Sequence, residues 1–301
     1  MKSILQLTNR PLLVYLMLSF SIIWFGAGII HFTGIEYNSF GSVLIVAFLC
    51  MPAPTFAAFV VQKFINNESL KSLEITYLNA NKQELVMNLL WLTIFVFFFF
   101  FWIYLGGNLM NWDLMGKVDF SYSGMIEKLE EMSAYSIDLS ETSLPQPIIV
   151  IAVALILGFV SGCTINLLIT LGEEIGWRGF LYKQWQNVSF HLRVVVTGTI
   201  WGLWHAPLIL LGHNYEHYPI IGIGMMVLFC ISLSYPMDWI RQQSKTVLGP
   251  AIFHGSINAV AALSIIFCED GNELIGSIPG LAGVLSGLSL YGVMFLIKKP
   301  S

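Results

Sequence analysis

Residues 171 to 182, Leu-Gly-Glu-Glu-Ile-Gly-Trp-Arg-Gly-Phe-Leu-Tyr, set Glu173, Glu174 and Arg178 where a long apolar run ends. A charge at a bilayer centre costs at least about 2.5 to 3.5 kcal/mol on insertion scales, so ionisable groups beside a membrane helix are functional candidates. Continued helix puts Glu174 and Arg178 four apart on one face, acid first, which suits an intrahelical ion pair. Glu173 lies about 100° further round. One carboxylate is then neutralised while its neighbour stays available for chemistry.

Two later apolar runs carry polar groups of the same kind. Trp201-Gly-Leu-Trp-His205-Ala-Pro207 places a histidine about 16 Å into its helix, and Pro207 weakens the backbone ladder just beyond it. Phe253-His254-Gly-Ser-Ile-Asn258 places His254 and Asn258 four apart, on one helical face. A carboxylate, two imidazoles and a carboxamide around a wet cavity suit amide hydrolysis. Glu173 takes a proton from water while His205 orients that water, and His254 with Asn258 donates to the oxyanion, where one donor is worth about 2.7 to 4 kcal/mol. No serine or cysteine nucleophile stands out. A metal version uses the same atoms: Glu173, His205 and His254 supply three ligands, water takes the fourth position and Glu174 is a base. No H-E-x-x-H is present, and spacing does not separate the two versions.

The elements that must position these groups are membrane helices. The chain has 301 residues, 56% hydrophobic and 11% charged, with a mean hydropathy of +0.75, too apolar for one soluble domain. Runs near 11–31, 42–62, 85–106, 147–171, 194–212, 218–237, 247–267 and 280–297 predict about eight spans, an all-α polytopic bundle. The sixth is expected to end at Pro236. The first is longer than a signal-peptide core and is expected to be retained. With both termini cytoplasmic, Lys2, Arg10, Lys63, Lys71, Lys82, Arg178, Lys183, Arg193, Arg241, Lys245, Lys298 and Lys299 lie inside, leaving Lys117 and Lys128 outside. This bias puts the Glu173 cluster at the cytoplasmic face. The net charge of −4 comes mostly from outer loops, and no nucleic-acid partner is expected.

Residues 1–146 comprise three spans read as packing scaffold and a long acidic outer loop from about 107, in which Met125, Leu129 and Met132 recur at helical spacing. Residues 147–301 comprise the five spans that carry the chemistry. Gly158 with Gly162, Gly198 with Gly202 and Gly283 with Gly287 have small-x-x-x-small spacing, from which the fourth and fifth helices are expected to press together. Cys50, Cys163, Cys230 and Cys268 are isolated and expected to pack. His31, His191, His213 and His217 fall in loops or at span ends and need no special role.

Glu173-Glu174-x-x-x-Arg178, Trp201-x-x-x-His205 and His254-x-x-x-Asn258, in that order, resemble the three motifs of the CPBP intramembrane protease family, which contains type II CAAX prenyl endopeptidases and bacteriocin-processing and immunity proteins. The resemblance covers about residues 147 to 270. It implies an intramembrane endopeptidase of a bacterial plasma membrane, its cavity open to the cytoplasm. Glu173 and His205 would activate water, His254 and Asn258 would form the oxyanion hole, and Glu174, Arg178 and Trp201 would support them. The family's second motif usually begins with phenylalanine, so Trp201 is a departure that bears on substrate choice. Members are often called metalloproteases, although a metal-free glutamate mechanism is also proposed; either no cofactor or a single zinc is implied. The substrate would be a membrane-associated peptide, with a lipid-modified C-terminus or a hydrophobic leader. An ion or proton transporter and a non-catalytic immunity protein of the same shape are the alternatives.

Overall fold

A computed structural model describes residues 9–75, 82–132 and 143–300. Its helices are α1 (Arg10–Thr33), α2 (Phe40–Ile65), α3 (Lys82–Leu109), α4 (Tyr122–Met132), α5 (Pro147–Cys163), α6 (Ile165–Gln184), α7 (Phe190–Trp204), α8 (Ala206–Ile209), α9 (Pro219–Ser244), α10 (Leu248–Phe267) and α11 (Leu281–Ile297). Each apolar run read from the sequence is helical. Among the described residues, α1, α2, α3, α9 and α10 are long and apolar enough to cross a bilayer, and α5 with α6 makes a sixth span bent by 57°. The α7–α8 pair and α11 are shorter. The chain is an integral membrane protein built as a helical bundle. Lys2, Asp138 and Glu141 lie outside the described residues.

Local chemistry accounts for the helix ends. The Asn9 side chain accepts from the Leu12 N–H at 2.9 Å to start α1, and Gly34 ends it in the left-handed region at φ 70°. Phe32, Phe40, Phe48, Ile165, Leu168 and Leu296 are exposed, as suits a bundle whose surrounding solvent is hydrocarbon. The acidic outer segment does contain an amphipathic helix, α4, which buries Met125 but leaves Met132 exposed. Beside it, Lys117–Val118 pairs antiparallel with Cys268–Glu269 and ties this segment to the end of α10.

Three expectations change. Pro236 does not end the sixth span: α9 runs eight residues past it to Ser244, because its flanks are packed against α7 and α11 and one lost ladder bond is tolerated there. The small-residue faces do not join the fourth and fifth spans. Gly158 and Gly162 lie against Val260, Ser256 and Ile252 of α10, while Gly198 and Gly202 lie against Ile231 and Val227 of α9. Spacing announces a flat face without naming its partner. Finally, Arg193 and Arg241, assigned to loops, are each 3% exposed. Arg193 pairs with Asp238 at 2.7 Å, and the Arg241 Nε–H donates to the Arg178 carbonyl at 2.9 Å.

The connector after α2 is pinned to this basic end. Glu74 pairs with Arg241, and its carbonyl accepts from Val247 N–H at 3.3 Å and Thr246 Oγ1 at 3.2 Å. Glu68 pairs with Lys183, whose hydrogen bond holds the Glu68 carboxyl below the usual carboxylate range.

A Cβ added at Gly198 would sit 2.5 Å from the Ile231 Cα, which cannot yield without moving backbone. Gly198→Ala is therefore expected to destabilise the protein by about 1 to 3 kcal/mol, as overpacking does. Gly224→Ala, with nothing within 4 Å of the new carbon, serves as the control. Thermal unfolding of the two detergent-solubilised variants checks the contrast.

Candidate active site

The polar groups are assembled on α6. The preceding helix stops at Thr164, whose hydroxyl takes the Val160 carbonyl at 2.7 Å and whose backbone leaves the helical region at φ −129°, ψ −96°. After this bend, Asn166, Thr170, Glu174 and Arg178 follow at spacing four and so form one polar stripe. Asn166 Nδ2 donates to the Gly255 carbonyl at 3.0 Å, and Thr170 Oγ1 donates to the Ala251 carbonyl at 2.9 Å. The stripe thus fastens α6 to α10. The helix does not end with the apolar run at Leu171, but continues through π-helical turns over Ile175–Leu181. Such widened turns recur at functional sites.

The expected ion pair forms. Arg178 Nη1 lies 2.9 Å from Glu174 Oε2 and 3.2 Å from Oε1, and neither side chain has exposed surface. Arg178 Nη2 donates to Ser234 Oγ at 2.8 Å, and the guanidinium sits 4.6 Å over the Trp201 ring. His254 Nδ1 is 3.0 Å from Glu174 Oε1. A carboxylate oxygen paired with arginine accepts, so His254 donates through Nδ1 and keeps Nε2 for other work.

Glu173 faces elsewhere. Its Oε2 accepts from Trp201 Nε1–H at 2.6 Å and from Trp177 Nε1–H at 3.4 Å, and the residue is 1% exposed. Two neutral indoles hold this acid in place without an opposing charge. Trp201, on α7, also lies edge-on to His254 with ring centroids 5.2 Å apart. The helix tightens at His205, whose backbone N–H bonds to Gly202, which frees the Trp201 carbonyl for the imidazole: Nδ1 lies 2.9 Å from that oxygen. A carbonyl can only accept, so Nδ1 carries the proton and Nε2 is the free acceptor of the neutral ring.

The structure therefore gathers Glu173, His205 and His254 around Trp201, with Glu174 and Arg178 behind His254. Asn258 stands apart. It lies one turn along α10 from His254, is exposed, and makes no hydrogen bond among the described residues. Four contributors escaped sequence reading. Trp177 gives Glu173 a second indole. Asn166 and Thr170 belong to a spacing-four series that was legible. His213, dismissed as a loop residue, lies parallel to His205 with centroids 6.1 Å apart and planes 4° apart, and its Nδ1 is 2.8 Å from Tyr37 Oη. A cavity of about 290 Å³, lined partly by Tyr37, Ser42, Met51, Ile169 and His213, adjoins this side.

The proposed zinc ligands do not fit a metal as placed. Among the described residues no three His, Cys, Asp or Glu side chains converge on one point. Glu173 Oε2 is taken by the two indoles, while His205 and His254 are each held through Nδ1 on different helices.

Residues 145–260 match the family described as Type II CAAX prenyl endopeptidase Rce1-like. Over 106 residues the chain is 29% identical to a protein named CAAX prenyl protease 2 from Methanococcus maripaludis, a match covering 33% of this chain and 39% of that relative. The chain thus spans about two fifths of the relative's length.

Removing the Glu174 carboxylate would leave Arg178 buried without its partner, a change that typically costs about 3 to 5 kcal/mol. Glu174→Ala is expected to unfold at markedly lower denaturant or temperature. Glu173→Gln, which keeps an acceptor for both indoles, is expected to stay within about 1 kcal/mol of the parent. Chemical denaturation in one detergent measures both.

Proposed function

Building on the Rce1-like match of residues 145–260, we propose that this protein is an intramembrane endopeptidase that hydrolyses a peptide bond in a membrane-associated substrate through a metal-free glutamate mechanism. The observation that carries the reading is the assembly on Trp201: one residue binds Glu173 through its indole and His205 through its carbonyl, with His254 against its ring.

In this mechanism Glu173 removes a proton from water while His205 Nε2 accepts the water's second hydrogen and orients it. The hydroxide oxygen bonds to the scissile carbonyl carbon, and the carbonyl electron pair moves onto oxygen. In its doubly protonated form His254, fixed by Glu174 through Nδ1–H, donates through Nε2–H to that oxyanion. When the tetrahedral intermediate collapses, the C–N bond breaks and Glu173 returns its proton to the leaving nitrogen. Water has then been added across one amide bond, with no net change in protonation of the site. Exposed Asn258 is assigned to the backbone of the incoming peptide. The name of the archaeal relative favours a lipid-modified C-terminus over a hydrophobic leader as substrate. The charge bias of the loops favours delivery from the cytoplasmic side.

Mass spectrometry of membrane-proximal peptides from cells carrying parent, Glu173→Gln or His254→Ala tests the proposal and finds the substrate. General acid–base groups contribute about 10² to 10⁴, so each variant is expected to lose at least about 100-fold in cleavage. Equal product from the parent and from both correctly inserted variants would refute proteolysis by this site. Exhaustive chelation of the purified parent is expected to leave turnover within about twofold. A total loss restored by zinc would replace the glutamate mechanism with a metal one.

A further inference from the structure

The first three spans read as scaffold, yet α1 brings a polar group to the carboxylates. Tyr15 has no exposed surface. Its ring stacks on Phe180, centroids 4.6 Å apart, and meets Trp177 edge-on at 6.0 Å. These are neighbours of Glu173 and Glu174 on the widened turns of α6, so packing fixes where the phenol ends. Gly176 makes room for it: a Cβ there would come within 2.5 Å of Tyr15 Oη. The hydroxyl consequently lies against the α6 backbone at Gly176, two residues after Glu174 and three after Glu173.

Among the described residues nothing hydrogen-bonds this hydroxyl. A buried phenol that gives up water without a replacement is destabilising, and native structures answer such groups with a bound water where a second polar partner is near. Of the nearby acids, Glu174 has both oxygens engaged, by Arg178 and His254. Glu173 has its Oε2 engaged by indoles and its Oε1 available. One turn further on the same helix, Ser19 Oγ is likewise buried and without a hydrogen-bond partner, while the Ser19 carbonyl holds Trp204 at 3.2 Å. The inward stripe of α1 thus presents two hydroxyls to the aromatic shell of the site.

We propose that Tyr15 is a positioning residue for Glu173: its hydroxyl and the Glu173 carboxylate share one buried water, supplied to the site by the first helix. The water binds there independently of what the protein catalyses; its effect on turnover rests on the reading of Glu173 as the base.

Tyr15→Phe removes the hydroxyl and keeps both ring contacts. Infrared difference spectra of the full-length protein first identify the Glu173 carboxyl band by its loss in Glu173→Gln. That band is expected to shift in Tyr15→Phe, and the parent's band, but not the variant's, is expected to respond to exchange into H₂¹⁸O. In cleavage assays Tyr15→Phe is expected to lower kcat about tenfold, the size of one lost hydrogen bond, with KM within about twofold. A Glu173 band unmoved in Tyr15→Phe overturns the proposal whether or not the parent cleaves anything. An inactive parent whose band still shifts would discard the protease reading and leave the shared water standing. A higher unfolding temperature with an unmoved band would mark the hydroxyl as a mere orphan.

Discussion

Arg178 and Glu174, an ion pair with no exposed surface, are what the rest of the site leans on. Taking either ion out of water costs several kcal/mol, and their attraction repays it only with close geometry and with the remaining polar atoms served. Here Arg178 Nη1 reaches both Glu174 oxygens, Nη2 donates to Ser234 and the Trp201 face covers the guanidinium, while Nε has no partner among the described residues. Its charge state then dictates its neighbours. Glu174 Oε1, already paired with Arg178, accepts from His254 Nδ1, and the guanidinium lies over the indole that reaches Glu173. Two adjacent acids thereby acquire different environments, one among charges and one among aromatic rings.

Placing so many polar groups within a bundle demands partners from backbone as well as side chains. Asn166 and Thr170 find theirs in carbonyls of α10, reached because Gly162 and Gly255 allow close approach of α5 and α6 to that helix. The bend at Thr164 aims this stripe inward. On the far side, Arg241 caps the Arg178 carbonyl and in turn holds Glu74, so the connector after α2 is bonded to the same core.

What the sequence disclosed and what it concealed divide along a physical line. The Glu174–Arg178 pair was legible because helical geometry alone creates it, and His205 and His254 were legible as polar groups too costly to bury idly. That His254 serves Glu174 rather than Glu173 depends on how α6 is rolled about its axis, which a spacing cannot specify, although Asn166 and Thr170 marked the polar face in advance. Trp177 and Trp201 sit in apolar surroundings, where an indole that donates looks the same as one that packs. Arg193 and Asp238 are 45 positions apart, so only the folded chain makes them partners. Asn258 kept the helical relation to His254 that its spacing promised, but His254 is buried and Asn258 exposed, a difference that spacing alone does not carry.

Trp201 meets Glu173 with its side chain and His205 with its main chain. The distance between acid and imidazole is consequently governed by the bond lengths and one rotamer of a single amino acid, a covalent ruler laid across two helices. Breathing of α6 against α7 can carry the two groups along together, yet it cannot easily spread them, and a reaction that needs both keeps its alignment in a fluid bilayer.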